Sequence, residues 1–327
     1  MPTPAESGSP GAGLRLPRIG FGAAALGYMY TPVTDEEADA VVEAMWAAGI
    51  RLYDTAALYG GGLSEVRLGR ALARHPRAEY VLCTKVGRSR PFGQRRAPDS
   101  SGDRWDFSYD FALRSVADSL KRLQVERVDV VHIHDPDNCL DQAMQGTYRA
   151  LERLRGEGVI GAIGVGSNSE AALAELARRG QFACFLLANR YTLLEQRALP
   201  VLFPRCLERG IAVINGGVFN SGILATGAGT GATFEYGEAP PEVRDRVGRL
   251  YALCRRHGVS VKAAALQFPL AHPAVKTLLL GGRSIAHLEE NLRLLREAIP
   301  DGFWGALKAE GLVDPAAPVP PAGGPRG

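Results

Sequence analysis

The sequence predicts an α/β protein whose fold is a (β/α)8 barrel, also called a TIM barrel. Eight short apolar segments alternate with segments of helical pattern, which is typical of a parallel sheet with crossover helices. The apolar runs are continuous rather than alternating, as expected for strands that are covered on both faces. No linker of domain size interrupts the 327 residues. A doubly wound open sheet is the alternative, and eight strand–helix units favour the closed barrel.

The strand candidates are short segments of mainly apolar residues. They are Arg18–Gly22, Ile50–Asp54, Tyr80–Lys85, Val128–His134, Val159–Val165, Cys184–Ala188, Ile211–Asn215 and Thr277–Leu280. Helices are expected between them. Thr34 can cap a helix that Gly49 ends, and Ser108 opens another. Further helices are predicted over 64–74, 142–156, 169–179, 240–257, 260–271 and 285–296.

Two connections are longer than the usual barrel loops of a few residues. One runs from Gly87 to Phe107 after the third strand, and the other from Gly216 to about Ala239 after the seventh. Loops that follow the strands surround the active site of such barrels, so both are candidates for covering a ligand. The first carries an arginine cluster, which suits either a solvated loop or recognition of an acidic or phosphorylated substrate: Arg88, Arg90, Arg95 and Arg96.

Both ends of the chain are low in apolar content. Residues 1–13 and 313–327 are rich in Pro, Gly and Ala, so we expect disordered tails on either side of a barrel domain over 14–312. No run of 18 apolar residues and no basic start followed by an apolar run is present, so a membrane span or export signal is not expected. The five scattered cysteines have no metal-ligand spacing, which indicates no metal site and a cytoplasmic protein. A net charge of +3 gives no indication of nucleic acid as a partner.

Three charged or basic residues stand at the C-terminal ends of predicted strands two, three and four. They are Asp54, Lys85 and His134, and Tyr59 follows Asp54 on the loop toward the next helix. A charge at the end of an apolar strand is costly unless it is paired. Because these strand ends meet at one barrel mouth, we expect the side chains to lie together.

This set suits proton transfer coupled to hydride transfer. A free tyrosine has a pKa of about 10, which is too high for an efficient base at neutral pH. The ammonium group of Lys85 would lower the pKa of Tyr59, and Asp54 would hold Lys85 charged and in place. His134 would form a hydrogen bond with the substrate oxygen.

With these residues in place, the sequence resembles the aldo-keto reductases from about Leu14 to Leu295. The segments that carry the resemblance are Leu16–Gly22 (LPRIGFG), Asp54–Gly60 (DTAALYG), Ser64-Glu65, Leu68-Gly69, Thr84-Lys85 and Ile133-His134. The resemblance implies Tyr59 as the catalytic acid/base, assisted by Lys85, Asp54 and His134. It also implies NAD or NADP as cofactor and a small molecule as substrate.

The resemblance assigns the cofactor contacts to the ends of four strands. Ser167 and Asn168 are both candidates for binding the carboxamide, since the segment Gly164–Asn168 (GVGSN) has one residue more than the family pattern. Gly281–Asn291 (GGRSIAHLEEN) resembles the adenosine-phosphate segment, whose backbone amides and helix N-terminus face anionic oxygens. The full set is Gly22, Ser167, Asn168, Gly217, Val218, Phe219, Ser221, Gly281, Gly282, Arg283, Ser284, His287, Glu290 and Asn291.

Three positions depart from the family pattern. Ala188 stands where a glutamine is usual, and Gly216 stands where an aromatic residue usually stacks on nicotinamide. His287 replaces an arginine or glutamine, so the charged fork that would hold a 2′-phosphate is absent there. The sequence therefore slightly favours NAD, while Arg283 keeps NADP open.

Several segments are most similar to one branch, the aldose 1-dehydrogenases acting on L-fucose or D-galactose and the related pyridoxal 4-dehydrogenases. They are Trp105–Asp110, His134–Asp137, Asn189–Leu194, Gly216–Gly222 and Ala264–Pro269. The resemblance implies oxidation of an aldose at C1 to the lactone. The residues expected to bind the sugar are Asp135, Asn189, Tyr191 and Asn220, although Asp135 equally suits a turn before Pro136. An NADPH-dependent reductase of an aldehyde or ketone, and a nicotinamide-binding regulatory subunit, are the alternatives.

Overall fold

Eight parallel strands close into a barrel in this computed structural model, which describes residues 14–28, 32–95, 102–235, 237–282 and 284–321. Each strand pairs with its two neighbours in chain order, and the first pairs with the eighth. The predicted fold is therefore confirmed. The strands are β1 Ile19–Gly22, β2 Leu52–Asp54, β3 Val81–Val86, β4 Val128–His134, β5 Ile160–Ser167, β6 Cys184–Ala188, β7 Ala212–Gly216 and β8 Val275–Leu280.

Helices surround the strands. Thr34, Ser108, Ser169, Ser260 and Ser284 each accept a backbone N–H in the first turn of the helix that follows, which satisfies a donor that the helix itself leaves open. The helices are α1 Asp35–Ala47, α2 Leu63–Leu72, α3 Tyr109–Leu123, α4 Arg149–Gly156, α5 Glu170–Arg179, α6 Leu202–Arg209, α7 Pro241–His257, α8 Val261–Gln267, α9 Ile285–Leu294 and α10 Asp301–Ala309.

The sequence did not predict α6 or α10. Helix α6 begins after Val201 without a side-chain cap and contains Pro204, while α10 contains two glycines, so neither carries the usual signals. The predicted helix over 142–156 is interrupted, because Ala143–Tyr148 forms a π-helical stretch before α4.

Both long loops carry secondary structure of their own. In the loop after β3, Arg88–Ser89 pairs antiparallel with Arg104–Trp105. In the loop after β7, a helical turn at Ile223–Thr226 precedes a pairing of Thr233–Phe234 with Gly237–Glu238. These pairings hold the two loops as folded segments at the mouth of the barrel.

The segment 313–321 packs on the barrel instead of forming the predicted tail. Val313 and Ala317 are buried, and Lys308 Nζ donates to the carbonyl oxygen of Pro315 at 2.9 Å. Residues 313–321 thus contact the barrel, although their composition alone indicated disorder. The predicted tails over 1–13 and 322–327 lie outside the described residues. No described helix has the length and apolar composition to cross a bilayer.

Candidate active site

The predicted pairing at the strand ends is confirmed for Asp54 and Lys85. Lys85 Nζ donates to Asp54 Oδ2 at 2.5 Å and to the carbonyl oxygen of Thr55 at 2.7 Å. The register explains this contact, since Asp54 ends β2 and lies beside Cys83 of β3, two residues before Lys85. Both side chains are at most 4% exposed, so the two charges depend on one another for compensation.

Tyr59 lies against this ion pair. Lys85 Nζ is 4.8 Å from the centroid of the Tyr59 ring, and the edge of the His134 ring meets the Tyr59 ring with their centroids 6.0 Å apart. The four predicted catalytic side chains therefore meet at the C-terminal mouth of the barrel, as the positions of Asp54, Lys85 and His134 at strand ends predicted.

A glycine turn follows Tyr59 and contacts the loop after β3. Gly60, Gly61 and Gly62 all have positive φ, a conformation that costs glycine little. A Cβ atom on Gly61 would lie 2.2 Å from the carbonyl oxygen of Pro91, so the loop backbone approaches as closely as a glycine permits. Gly93 N also donates to the carbonyl oxygen of Gly60 at 2.7 Å. The loop thus rests directly on the turn that carries Tyr59.

Burial dominates the acidity of Tyr59. It raises the pKa of Tyr59 to about 12, and the Lys85 ammonium, which acts in the opposite direction, does not outweigh it. Lys85 thus lowers the pKa of Tyr59, as the sequence predicted, but burial raises it by more. The sequence named the right neighbour but could not weigh it against the removal of the phenol from water.

The other two basic groups keep opposite charge states. Burial alone would lower the pKa of Lys85, but the negative charge of Asp54 and the contact with Tyr59 raise it above its usual value, so the ammonium is retained. Burial, followed by the charges of Lys85 and Arg88, holds the pKa of His134 well below its usual range. His134 is therefore neutral at neutral pH, and it can form a hydrogen bond with a substrate without repelling Lys85.

A cavity of about 140 Å³ opens above these residues. Its walls come from the turn at Tyr59, the ends of β3 to β6 and the loop after β3. The lining residues are Gly27, Leu58, Tyr59, Gly60, Lys85, Arg88, Arg90, His134, Asp135, Gly166, Ser167, Asn168, Leu186 and Ala188. Of the predicted binding residues, the cavity thus includes Asp135, Ser167 and Asn168.

Ser167 and Asn168 at the end of β5 differ in their contacts. Ser167 Oγ donates to Asp137 Oδ1 at 2.5 Å and accepts from Ser169 N at 2.8 Å, so its hydroxyl group is engaged within the protein. The backbone carbonyl oxygen of Asn168 accepts from Arg190 Nε at 2.7 Å. Asp137 was not predicted, and the segment His134–Asp137 contained the only signal for it.

Asn189 and Asn220 brace the ends of β6 and β7. Asn220 Nδ2 donates to the carbonyl oxygen of Asn189 at 3.2 Å, and both side chains are buried. A Cβ atom on Gly217, whose φ is +65°, would lie 2.4 Å from Asn189 Oδ1. Neither asparagine is among the residues that line the cavity, and the predicted sugar contacts of Asn189 and Asn220 stay predictions.

Tyr191 also lies away from the cavity. It is fully buried, and its ring packs against Phe203 and Phe268 with centroids 4.7 and 5.2 Å away. Its hydroxyl group has no hydrogen-bond partner among the described residues. The structure thus places the Tyr191 ring in the outer packing of the barrel, and the predicted substrate contact of Tyr191 stays a prediction.

The loop after β7 holds the remaining predicted contacts of that region. Val218 is buried and Phe219 packs against the core, while Ser221 has a positive φ and its carbonyl oxygen accepts from Thr233 Oγ1 at 2.9 Å. At Gly216, a Cβ atom would meet only Ala188 and Leu186, at 3.8 and 4.0 Å. A Cβ atom at Gly216 would therefore meet no close obstruction among the described residues, although Gly216 itself is buried.

The segment after β8 fits an anionic group. Ser284 caps α9, its Oγ accepting from His287 N at 3.3 Å, and the N-terminus of this ten-residue helix carries open amides and the positive end of the helix dipole. Among the described residues, a Cβ atom on Gly281 would meet nothing within 4 Å, and one on Gly22 at the end of β1 nothing nearer than 3.8 Å, so backbone is accessible at both positions. These features suit the phosphates of a dinucleotide.

The other predicted residues of this segment differ in whether their side chains already have partners within the protein. A Cβ atom on Gly282 would lie 2.6 Å from Leu288, so the position packs under α9. Both carboxylate oxygens of Glu290 accept from Lys262 Nζ at 2.9 Å, and Asn291 is buried. The predicted contact at Arg283 lies outside the described residues.

Two arginines of the loop after β3, Arg88 and Arg90, are paired inside the protein. Arg88 Nη2 donates to Asp103 Oδ2 at 2.6 Å and Nη1 to Asp135 Oδ2, while Arg90 Nη2 donates to Asp103 Oδ1. The Asp103 side chain is fully buried, and the Arg88 guanidinium lies 4.7 Å from the Trp105 ring. Arg88 and Arg90 are therefore neither solvated nor unpaired cations facing a substrate. Arg96 lies outside the described residues.

We expect the substitution Asp103→Asn to loosen this loop and raise the KM for substrate. It removes the one charge that two buried guanidinium groups share, which should lower the free energy of unfolding by about 1–3 kcal/mol. Hydrogen exchange of residues 87–107 would measure the loosening. Asp118→Asn is the matched control, because the ion pair of Asp118 with Lys121 is exposed. Equal effects of Asp103→Asn and Asp118→Asn would contradict the structural role of Asp103 in this loop.

Comparison with known proteins matches the aldo/keto reductase family over residues 18–310. The chain is 41% identical to a D-threo-aldose 1-dehydrogenase of Pseudomonas sp., over 94% of this chain and 98% of that protein. It is 37% identical to a pyridoxal 4-dehydrogenase of Microbacterium luteolum, over 92% and 96%. Among solved structures, a glycerol dehydrogenase of Gluconobacter oxydans superposes with a TM-score of 0.75 at 26% identity, covering 92% of this chain and 93% of the other.

Proposed function

This chain belongs to the aldo/keto reductase family of NAD(P)-dependent oxidoreductases, and on that premise we propose that it oxidises a neutral aldose at C1 to the lactone. L-Fucose and D-galactose are the candidate substrates. The observation that carries the proposal is the buried Asp54–Lys85 pair against Tyr59 beside a neutral His134. The similarity to a D-threo-aldose 1-dehydrogenase supports an aldose as the substrate class.

The charge balance of the cavity wall favours a neutral substrate. Arg88 and Arg90 face the carboxylates of Asp103 and Asp135, so two positive charges meet two negative ones. A carboxylate or phosphate on the substrate would have to compete with these internal partners. A sugar hydroxyl group needs no uncompensated charge, and the carboxylate and guanidinium groups offer acceptors and donors to it.

In this mechanism Tyr59 handles the proton. The phenolate of Tyr59 accepts the proton of the C1 hydroxyl group, and Lys85, held by Asp54, stabilises the negative charge of that phenolate. His134, being neutral, donates to the reacting oxygen and orients it. When a nicotinamide nucleotide is bound, it supplies the acceptor for the hydride that leaves C1 as the lactone carbonyl forms.

The chain offers residues to hold this nucleotide. Gly281 and the N-terminus of α9 at Ser284 suit its phosphates, and Asn168 at the cavity suits the carboxamide. We propose NAD in slight preference to NADP, because His287 stands where relatives of this family carry a residue suited to a 2′-phosphate.

A substrate panel tests the proposed function. The protein is incubated with NAD or NADP and L-fucose, D-galactose, D-galacturonic acid or D-galactose 6-phosphate, all of which have a free C1 hydroxyl group, and formation of reduced nicotinamide is followed by absorbance. We expect turnover with the neutral aldoses and at least about tenfold lower kcat/KM with the anionic sugars, equivalent to about 1.4 kcal/mol. Activity only with NADPH and an aldehyde or ketone would contradict the proposal, and binding of nucleotide without any turnover would indicate a regulatory role.

A further inference from the structure

A second histidine lies inside the barrel below His134. His132 is two residues earlier on β4, where it pairs in register with Lys85 of β3, and it is fully buried. Neither ring nitrogen of His132 has a hydrogen-bond partner among the described residues. Since buried polar groups are nearly always paired, two open nitrogens in one ring require an explanation.

The nearest candidate partner is the carboxylate that holds Lys85. Asp54 uses Oδ2 for the ion pair, while its Oδ1 is buried and has no partner among the described residues. His132 Nε2 lies 4.0 Å from this oxygen. A possible donor and an acceptor, both shielded from water, therefore face each other about 1 Å beyond the usual N–H···O distance.

The barrel backbone makes room for the His132 ring. Gly164 of β5 pairs in register with His132, and a Cβ atom on Gly164 would lie 2.4 Å from His132 Nδ1. Any side chain at position 164 would thus displace the ring. Because Gly164 has no side chain, Nδ1 of His132 lies against the backbone of β5. Nε2 is therefore the nitrogen that can reach Asp54.

The His132 ring carries no charge. Burial, assisted by the Lys85 ammonium, lowers the pKa of His132 to about 3. A neutral imidazole has one N–H donor and one acceptor nitrogen. The ring can therefore give Asp54 a hydrogen bond without adding a second positive charge that would compete with Lys85.

We propose that His132 is a positioning residue whose Nε2–H donates to Asp54 Oδ1, and that it thereby keeps Asp54 ionised against Lys85. The contact forms when the two atoms approach by about 1 Å. An ionised Asp54 holds Lys85 charged, and a charged Lys85 favours the Tyr59 phenolate. The inference rests on the proposed role of Tyr59 as the acid/base.

Loss of the His132 donor should affect Asp54, then Lys85 and then Tyr59. Without it, the proton of Lys85 passes more readily to Asp54, which neutralises both groups. The Lys85 ammonium lowers the pKa of Tyr59 by more than the Asp54 carboxylate raises it, so the phenolate then forms at higher pH. Oxidation needs the phenolate, so the rise of kcat with pH should move upward. The titratable groups that surround His132 and could contribute are Asp54, Cys83, Lys85, His134 and Cys184.

The test compares His132→Leu with His132→Gln in the full chain. We expect His132→Leu to lower kcat about tenfold at a fixed pH, to shift the pH profile upward by about one unit, and to change KM less than about twofold. Its melting temperature should fall by a few degrees at most, because the loss of one hydrogen bond to Asp54 is partly offset when the unpaired Nδ1 is replaced by carbon. His132→Gln keeps a side-chain donor and should restore most of kcat and the pH profile.

His272→Leu is the control for a buried histidine outside the site. His272 Nδ1 accepts from Ala274 N at 3.1 Å, so this substitution should lower the melting temperature and leave the pH profile in place. The inference is overturned if His132→Leu leaves the pH profile where it was, or if kcat and melting temperature fall together and His132→Gln rescues neither.

A measurement without substrate separates this inference from the proposed function. The ¹⁵N shifts of the histidine rings report which nitrogen carries the proton. We expect His132 to carry it on Nε2, and the shift of that nitrogen to change in Asp54→Asn. A proton on Nδ1 overturns the inference even in an active enzyme, whereas a proton on Nε2 in a protein that oxidises no aldose leaves the contact intact and rejects only the proposed substrate.

Discussion

Replacing Tyr59 with phenylalanine should lower kcat for aldose oxidation by about 10²–10⁴-fold, the range that a positioned acid/base contributes. The reason is that the ring, its contact with Lys85 and the packing against His134 remain, while the hydroxyl group that exchanges the proton is removed. Nucleotide affinity, measured by fluorescence titration, should stay within about twofold, because no nucleotide contact is assigned to this hydroxyl group.

The role of Tyr59 also predicts how the rate of the wild-type enzyme changes with pH. Since burial raises the pKa of Tyr59 to about 12, the phenolate fraction in the protein grows throughout the alkaline range. Oxidation, which consumes the phenolate, should accelerate as the pH rises, whereas reduction, which needs the phenol, should not. Tyr59→Phe should abolish this rise.

Tyr191→Phe is the matched control. Tyr191 is fully buried away from the cavity, and its hydroxyl group has no partner among the described residues. Loss of that hydroxyl group should leave both kcat and the melting temperature nearly unchanged. Unaltered turnover in Tyr59→Phe, or an equal loss in the two variants, would exclude Tyr59 as the acid/base.

Replacing Lys85 with methionine should lower the free energy of unfolding by about 3–5 kcal/mol and abolish turnover. The substitution leaves the buried carboxylate of Asp54 without its counter-charge, which is the costly way to break such a pair. Methionine occupies a similar volume, so the loss measures charge rather than packing. Urea unfolding and the aldose assay would provide the two measurements.

The double variant Lys85→Met with Asp54→Asn separates charge from shape. With both charges gone, most of the lost stability should return, while turnover should not. Additive losses in the double variant would show that the ion pair does not carry the stability effect. Asp54→Asn alone tests the other half of the pair.

The stability loss in Lys85→Met should also depend on pH. Burial raises the pKa of Asp54 in the folded protein, and Lys85 is the group that opposes this shift. Without Lys85, the folded state binds a proton more readily than the unfolded chain does. The loss of stability in Lys85→Met is therefore present at neutral pH. It disappears as the pH falls through the pKa of Asp54 in the folded variant and on toward the unfolded-state pKa, because a neutral carboxyl group replaces the unpaired charge.

The barrel and the ion pair could be predicted from the sequence, because both follow from the pattern of apolar and charged residues within single segments. Each strand is a continuous apolar run, and a charged residue at its end marks the mouth, so Asp54, Lys85 and His134 could be placed before any contact was known. The (β/α)8 topology then decides that these three ends are neighbours. Helix caps such as Thr34 were found for the same reason.

The features that the sequence missed depend on contacts between distant segments. Asp103 is one of many loop carboxylates until the pairing of Arg88–Ser89 with Arg104–Trp105 brings it between two arginines. Tyr191 follows a strand like the residues of the site, yet its ring turns into the outer core. In the sequence, His132 looks like an ordinary strand residue. Its position could not be predicted, because it depends on the missing side chain of Gly164 on the neighbouring strand.

The contact between the loop after β3 and the glycine turn limits how this enzyme can be altered. Because the backbone at Pro91 and Gly93 touches the turn that carries Tyr59, a change that moves the loop to admit a new substrate also moves the acid/base. Substrate preference and rate are therefore not independent traits here. Variants selected for new substrates should acquire compensating changes near the turn, whereas changes in the loop after β7, for which no such contact with Tyr59 is described, should alter preference at a smaller loss of rate.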